Sequence, residues 1–305
     1  MNAYIAVSVV NFHAKWGDKA CNLKRMTEYI ETIARIGSNV IVFPEMALTG
    51  YEYLEEEQMQ KKLAEPMTGN AINTIAKEAR KNGVYVIFGM PELGENGKIY
   101  NSAAVCGPNG FLGAYRKIHL PMNESLWATP GKTPFVFQTP WGPMGISICY
   151  DTYIFPEIMR YYKTKGVRLL INNTAAFFEG RQKIHMNSLM CNAATNNIYI
   201  ASANLCGKEK SLEFYGRSNI VGPVRPNGEA QILAGKAFDE TGIVSECVET
   251  AEFDMSTLPY HTYSHLFDRN EKVGTPDWRP ELYIRMCDDL LQEKKWMLAM
   301  QNRRS

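Results

Sequence analysis

Along the chain, apolar runs of strand length alternate with stretches whose apolar residues fall at helical spacing. Ala3–Val10 reads as a strand, and Lys19–Ile36 as a helix that Gly37 ends. Asn39–Phe43 is a second strand. Thr68-Gly-Asn opens a helix over Ala71–Lys81, stopped by Asn82-Gly83, and Val84–Phe88 is again a buried strand. Lys98–Gly107 and Gly110–Ile118 form an antiparallel pair across the turn G-P-N-G. The second half repeats the theme. Met144–Ile148 is a strand, Pro156–Thr164 a helix, Val167–Ile171 a strand, Lys183–Thr195 a helix and Ile198–Ala203 a strand. N-G-V-Y-V-I-F-G and N-N-I-Y-I-A-S-A each close a helix and open a buried strand, so the chain has two similar halves. Gly216–Val221, Gln231–Ala234 and Gly242–Val248 read as later strands. After Pro259 the chain turns irregular and polar until a last helix over Pro280–Ala299, where Leu290, Leu291, Trp296, Met297 and Met300 make one apolar stripe. Alternating strands and helices argue for an α/β fold. With no low-complexity linker, residues 1–305 are expected to form one domain, with 259–305 as a C-terminal tail used in self-association.

Composition narrows the partners. An apolar content of 45% with 21% charged residues fits a globular chain. Its 33 basic and 32 acidic residues nearly cancel, which gives no reason to expect a nucleic-acid partner. No apolar run approaches the roughly 20 residues that span a bilayer. The amino terminus lacks a basic flank, so no signal peptide is expected. Seven scattered cysteines without a C-x-x-C pair fit reduced thiols in a cytoplasm better than a disulfide framework.

The chemistry gathers at strand ends. Cys149 follows Met144–Ile148, where the carboxyl end of a buried strand meets the start of a helix near Pro156. Backbone N–H groups at such a place can activate a thiol and hold an oxyanion. Taken alone, it reads as a buried structural cysteine. Two further stretches change that reading. Glu45 stands just past Pro44 at the end of the second strand, and Lys117 ends the antiparallel pair with Glu124 seven positions on. An acid, a lysine and a cysteine, each at or near a strand end, make a nucleophilic site conceivable.

F-P-E-M-A-L-T-G-Y, Y-R-K-I-H-L with E-S-L-W-A-T-P-G, and I-C-Y-D with F-P-E resemble the three signature segments of the nitrilase superfamily. The resemblance runs from about Ala3 to Tyr283. It implies a four-layer α-β-β-α sandwich and carbon–nitrogen hydrolysis at a Glu–Lys–Cys site. On that basis Cys149 is the nucleophile that forms a thioester, and Glu45 the general base and acid. Lys117 and the N–H of Tyr150 stabilise the oxyanion, and Glu124 orients the lysine and the substrate. No cofactor is expected, and no Gly-rich phosphate loop is present.

A Cys–His arrangement is the rival, with His119 able to share a strand face with Lys117 and His185 read as structural. His261-x-x-x-His265 sits among β-formers beside Pro259, which argues against a metal site. Pocket residues are expected at loop tips: Tyr51, Trp127, Tyr153, Asn173, Ala176 and Phe177, with Phe178 and Glu179 beside them. Thr152, Tyr153 and Ile154 are uncharged where carbamoylases of the superfamily carry a basic residue, so small neutral amides are expected over N-carbamoyl amino acids. Tyr150-Asp151 stands where true nitrilases of the superfamily tend to carry Trp-Glu, so the resemblance implies amides over nitriles. The alternatives are an N-carbamoyl amine or amino acid amidohydrolase and, in a different class, an acyltransferase or a non-catalytic binding protein on the same fold. As in other members, self-association into a dimer or larger assembly is expected.

Overall fold

The computed structural model describes residues 3–52, 57–177, 180–225, 228–238, 242, 244–258 and 279–302. The chain divides into two compact units, 1–260 and 261–305. In the first, β1 (Tyr4–Asn11), β2 (Val40–Val42), β3 (Tyr85–Leu93), β4 (Ile99–Gly107) and β5 (Gly110–Arg116) join β14 (Cys247–Asp254) in one six-stranded sheet. Its order is β14-β1-β2-β3-β4-β5. The second sheet runs β13-β12-β9-β8-β7-β6. Its strands are β6 (Phe135–Thr139), β7 (Gly142–Ile148), β8 (Leu169–Thr174), β9 (Tyr199–Asn204), β12 (Asn219–Pro223) and β13 (Ala230–Gly235). Each sheet has three parallel central strands, β1-β2-β3 and β7-β8-β9. Each adds two antiparallel strands on one flank and one on the other. The two halves expected from the sequence thus share one topology.

Burial on both faces explains the unbroken apolar runs of the central strands. Ile5, Val7 and Val9 of β1 pack with Leu169 and Ile171 of β8 in a core between the sheets. On the outer face of the first sheet lie α1 (Lys19–Arg35) and α3 (Asn70–Asn82), through Met26, Ile30, Ile33, Ile72 and Ile75. On the second, α4 (Tyr150–Ile154), α5 (Pro156–Thr164) and α6 (Gln182–Asn196) pack Tyr153, Met159, Tyr162, Leu189 and Ala193 against Leu170 and Ile200. Three cores therefore separate four layers, α-β-β-α. The Asp18 carboxylate accepts from the Cys21 N–H at the start of α1, and Gly83 ends α3 in the left-handed region.

Several elements differ from the sequence reading. The last strand of the first sheet is 247–254 rather than 242–248: its exposed face carries Thr250 and Glu252, and Glu249 interrupts the face that buries Ala251 and Phe253, which hides the period-2 pattern. F-V-F-Q-T forms β6, paired with β7 across Thr139–Gly142. A short helix, α4, intervenes between Cys149 and Pro156. The hairpin β10 (Cys206–Glu209) and β11 (Leu212–Tyr215) and the helix α2 (Glu57–Leu63) also went unread. In the second unit, α7 (Pro280–Asn302) exposes Leu290 and Leu291. The irregular segment 259–278 and the side chains of Trp296, Met297 and Met300 lie outside the described residues. No helix among the described residues is long and apolar enough to cross a membrane.

Close backbone approach places Glu45. The Gly89 N–H on β3 donates to the Pro44 carbonyl (3.0 Å), and the Leu48 N–H donates to the Gly89 carbonyl (3.2 Å). A Cβ on Gly89 would stand 2.2 Å from the Met46 nitrogen and 2.6 Å from the Glu45 Cα. Gly89→Ala must push the two backbones apart, as overpacking does at a cost of about 1–3 kcal/mol. Urea unfolding of Gly89→Ala is expected to show that loss, and an unchanged midpoint would contradict the close packing.

Candidate active site

Glu45, Lys117 and Cys149 come from three strand ends on two sheets. Glu45 follows β2, Lys117 follows β5, and Cys149 follows β7. Lys117 is held by its own backbone: its N–H donates to the Asn101 carbonyl (2.8 Å), and its carbonyl accepts from Gly131 (2.7 Å). Cys149 takes φ 48°, ψ −103°, a conformation rare for a residue with a Cβ. Two hydrogen bonds pin it there, from the Cys149 N–H to the Asn173 carbonyl (2.9 Å) and to Asn172 Oδ1 (3.0 Å). The turn sets the thiol beside the Thr174 hydroxyl and the Ala175 N–H.

Lys117 Nζ donates to Glu45 Oε1 (2.7 Å) and to Glu124 Oε2 (2.7 Å), with all three side chains at most 1% exposed. Glu124 reaches it from the 3-10 turn Met122–Leu126. Asn101 on β4 completes the cluster, donating from Nδ2 to Glu45 Oε1 (2.7 Å) and Glu124 Oε1 (2.6 Å). The Ala175 N–H donates to Glu45 Oε2 (3.0 Å), and the Tyr51 hydroxyl to Glu124 Oε2 (3.2 Å). Burial works against the Lys117 charge, but the Glu124 and Glu45 carboxylates outweigh it and hold the group a cation well above the lysine range. Burial, with the neighbouring Glu45 charge, raises Glu124 despite Lys117. Burial and then Glu45 raise the Cys149 thiol, with Lys117 opposing. Burial and Glu45 thus favour the thiol over the thiolate, and a base beside it would aid any attack by the sulfur.

A cavity of about 190 Å³ opens on Glu45, Lys117 and Cys149. Of the residues expected in a pocket, Tyr51, Tyr153, Ala176 and Phe177 line it, as does Tyr150. Trp127 and Asn173 do not line it. Trp127 is buried at the end of the Glu124 turn, its backbone N–H donating to the Glu124 carbonyl (3.2 Å). Asn173 Nδ2 donates to the Phe43 carbonyl (2.6 Å), tying the end of β8 to the strand that leads to Glu45. Phe178 and Glu179 lie outside the described residues. Met122, Ile154, Arg181 and His185 also line the cavity.

The histidines are engaged elsewhere. The His119 Nδ1 lies 2.8 Å from Asp151 Oδ1, and its ring stacks on Phe155. His185 stacks on Tyr153 with its Nδ1 3.2 Å from the Tyr215 hydroxyl, and burial, with Arg181 nearby, lowers it to about 4. Both rings thus engage groups other than Cys149. Among the described residues, no group of three or more His, Cys, Asp or Glu side chains could hold a metal.

Sequence reasoning passed over Asn101 and Asp151. Asp151, fully buried, accepts from the Tyr115 hydroxyl (2.7 Å) and from the Ile118 (3.1 Å) and His119 (2.9 Å) N–H groups. It fastens the segment around Lys117 to the helix that follows Cys149. The signal for both was a polar residue inside an apolar run, since buried polar groups persist where they are hydrogen-bonded.

The family model described as carbon–nitrogen hydrolase matches residues 6–257. A nitrilase from Pyrococcus abyssi is 30% identical over 270 residues, 87% of this chain and 93% of that one. An omega-amidase from Xenopus laevis is 32% identical over 254 residues, 79% of this chain and 85% of that one. Among solved structures, an amidase from Nesterenkonia sp. AN1 in complex with acrylamide superposes with a TM-score of 0.74 at 20% identity, covering 93% of this chain and 97% of that one. With the shared sandwich and the family match across its first unit, the chain belongs to the carbon–nitrogen hydrolase family of the nitrilase superfamily.

Proposed function

We propose that the protein hydrolyses a small amide through a thioester on Cys149. The observation that carries this is the buried ammonium of Lys117 held between two carboxylates at the thiol. Cys149 Sγ attacks the carbonyl carbon while Glu45 takes the thiol proton, and the carbonyl oxygen becomes an oxyanion. Lys117 and the Tyr150 N–H face that charge, and Glu124 with Asn101 holds Lys117 in place. Collapse breaks the C–N bond, and Glu45 returns its proton to the departing nitrogen as ammonia or an amine. Water then loses a proton to Glu45 and attacks the thioester, releasing the acid and the thiol. The amidase and omega-amidase relatives support the amide over other C–N bonds.

Arg181 favours a second reading of the substrate. It lines the cavity as an exposed cation in the loop before α6 and supplies the charge that Thr152–Phe155 lacks. An amide with a carboxylate far from its scissile bond could pair with it, whereas burying that carboxylate without a cation is costly. Self-association is proposed as well, on the apolar residues that α7 exposes. A cytoplasmic setting is proposed on the seven free cysteines.

Cys149→Ser is expected to lose several orders of magnitude in turnover and to form no thioester by intact mass. Glu45→Gln is expected to slow turnover about 10²–10⁴-fold. Retention of most activity in either variant removes that residue from the mechanism. For matched amides with and without a distal carboxylate, a neutral pocket predicts kcat/KM at least about tenfold lower for the anion. A preference for the anion that disappears in Arg181→Ala assigns Arg181 as its anchor instead. Light scattering at micromolar concentration is expected to give a mass at least twice 34.5 kDa, and a lone 34.5 kDa species contradicts assembly.

A further inference from the structure

The cavity is backed by the β10–β11 hairpin. Three hairpin residues each touch a different lining residue. The Tyr51 N–H donates to Glu209 Oε2 (3.2 Å), the Phe214 ring meets Phe177 edge-on (centroids 6.3 Å), and the Tyr215 hydroxyl lies 3.2 Å from His185 Nδ1. A return strap runs the other way, since Ser211 donates to Glu52 Oε2 from its N–H (3.2 Å) and its hydroxyl (2.5 Å).

Glu209 stands out among these contacts. It is 4% exposed, and its Oε1 has no hydrogen-bond partner among the described residues. Burying a carboxyl that makes so few bonds is unfavourable. Its seat is shaped for it: Gly50 has φ +76°, and a Cβ there would lie 2.1 Å from Glu209 Oε2. Only glycine at 50 lets the carboxyl reach the Tyr51 N–H.

Resting on the amidase reading above, we propose that Glu209 is a positioning residue for catalysis. From the hairpin it fixes Tyr51, and Tyr51 in turn fixes the Glu124–Lys117 pair. The path is continuous, from Glu209 Oε2 to the Tyr51 N–H, then from the Tyr51 hydroxyl to Glu124 Oε2 (3.2 Å) and on to Lys117 Nζ (2.7 Å). Burial, partly offset by the Tyr51 N–H and reinforced by Glu52, lifts the Glu209 carboxyl to about 8. Its Oε2 accepts from the Tyr51 N–H, and glutamine keeps a carbonyl acceptor at the same reach.

The test compares Glu209→Gln, Glu209→Asp and Glu209→Leu, alone and in a Tyr51→Phe background. Glu209→Asp is too short to reach Tyr51, and Glu209→Leu cannot accept. Each is expected to lower kcat about tenfold or more with a smaller change in KM, the scale of a misplaced catalytic group. Glu209→Gln is expected to stay within about threefold of wild type, because its carbonyl still accepts the N–H. In the Tyr51→Phe background, which lacks the hydroxyl bond to Glu124, the Glu209→Asp loss should shrink to about twofold or less. Hydrogen exchange at the Tyr51 N–H, read on the free enzyme, should quicken in Glu209→Asp and stay wild-type-like in Glu209→Gln. Full activity or unchanged exchange in Glu209→Asp, no rescue by glutamine, or full additivity with Tyr51→Phe overturns the proposal. Should the wild type cleave no amide, the amidase reading fails, while the exchange measurement still decides whether Glu209 holds Tyr51.

Discussion

One buried ammonium sets the terms for the rest of the site. Lys117 is almost wholly withdrawn from water, and a lone charge so placed would lose its proton or unfold the region around it. Two carboxylates keep it charged, but they bring a second difficulty, because they also repel each other. Asn101 answers it by donating one amide hydrogen to each acid. Removing one partner of such a pair costs about 3–5 kcal/mol in general, because the other charge stays buried. The cluster is therefore close to all-or-none, and the loops that carry it must be placed as firmly as core strands. Gly89 under Glu45, Gly131 behind Lys117 and Asp151 between Lys117 and the Cys149 helix do that placing.

The same cluster accounts for the state of the proposed nucleophile. Many reactive cysteines rest as thiolates in electropositive surroundings. Here the nearest cation is already committed to two acids, and one of those acids raises the thiol further. In the proposed mechanism, a thiol that ionises only as it attacks would hand its proton to Glu45. In that mechanism the positive charge of Lys117 serves the developing oxyanion.

How much of this the sequence discloses varies by element. The central strands were legible because burial on both faces leaves only apolar residues. The meeting of Glu45, Lys117 and Cys149 was legible because each polar residue follows an apolar run at a strand end. Asn101 was hidden, because an amide in the middle of a strand reads as an imperfection until its two acceptors are seen 56 and 23 positions away. Glu209 was hidden for the same reason, its partner lying 158 positions back. The strand 247–254 was misplaced because an edge strand with one wet face carries a weak apolar signal. Trp127 and Asn173 show the converse. Polar or aromatic residues near a site were expected in the pocket, yet both serve to brace the loops that form it.

The matching topology of the halves has a consequence for how the protein comes to life. The first sheet carries the acid and the lysine, and the second carries the thiol. Asn173 Nδ2 on the Phe43 carbonyl and the Ala175 N–H on Glu45 join the two sheets at that point. Neither half alone holds a complete set of reacting groups, although each repeats the other's architecture. During synthesis the first sheet's acid and lysine emerge well before the thiol. On the proposed mechanism, a nascent chain has no competent centre until its two like sheets have packed on each other, and reactivity becomes a late readout of correct assembly.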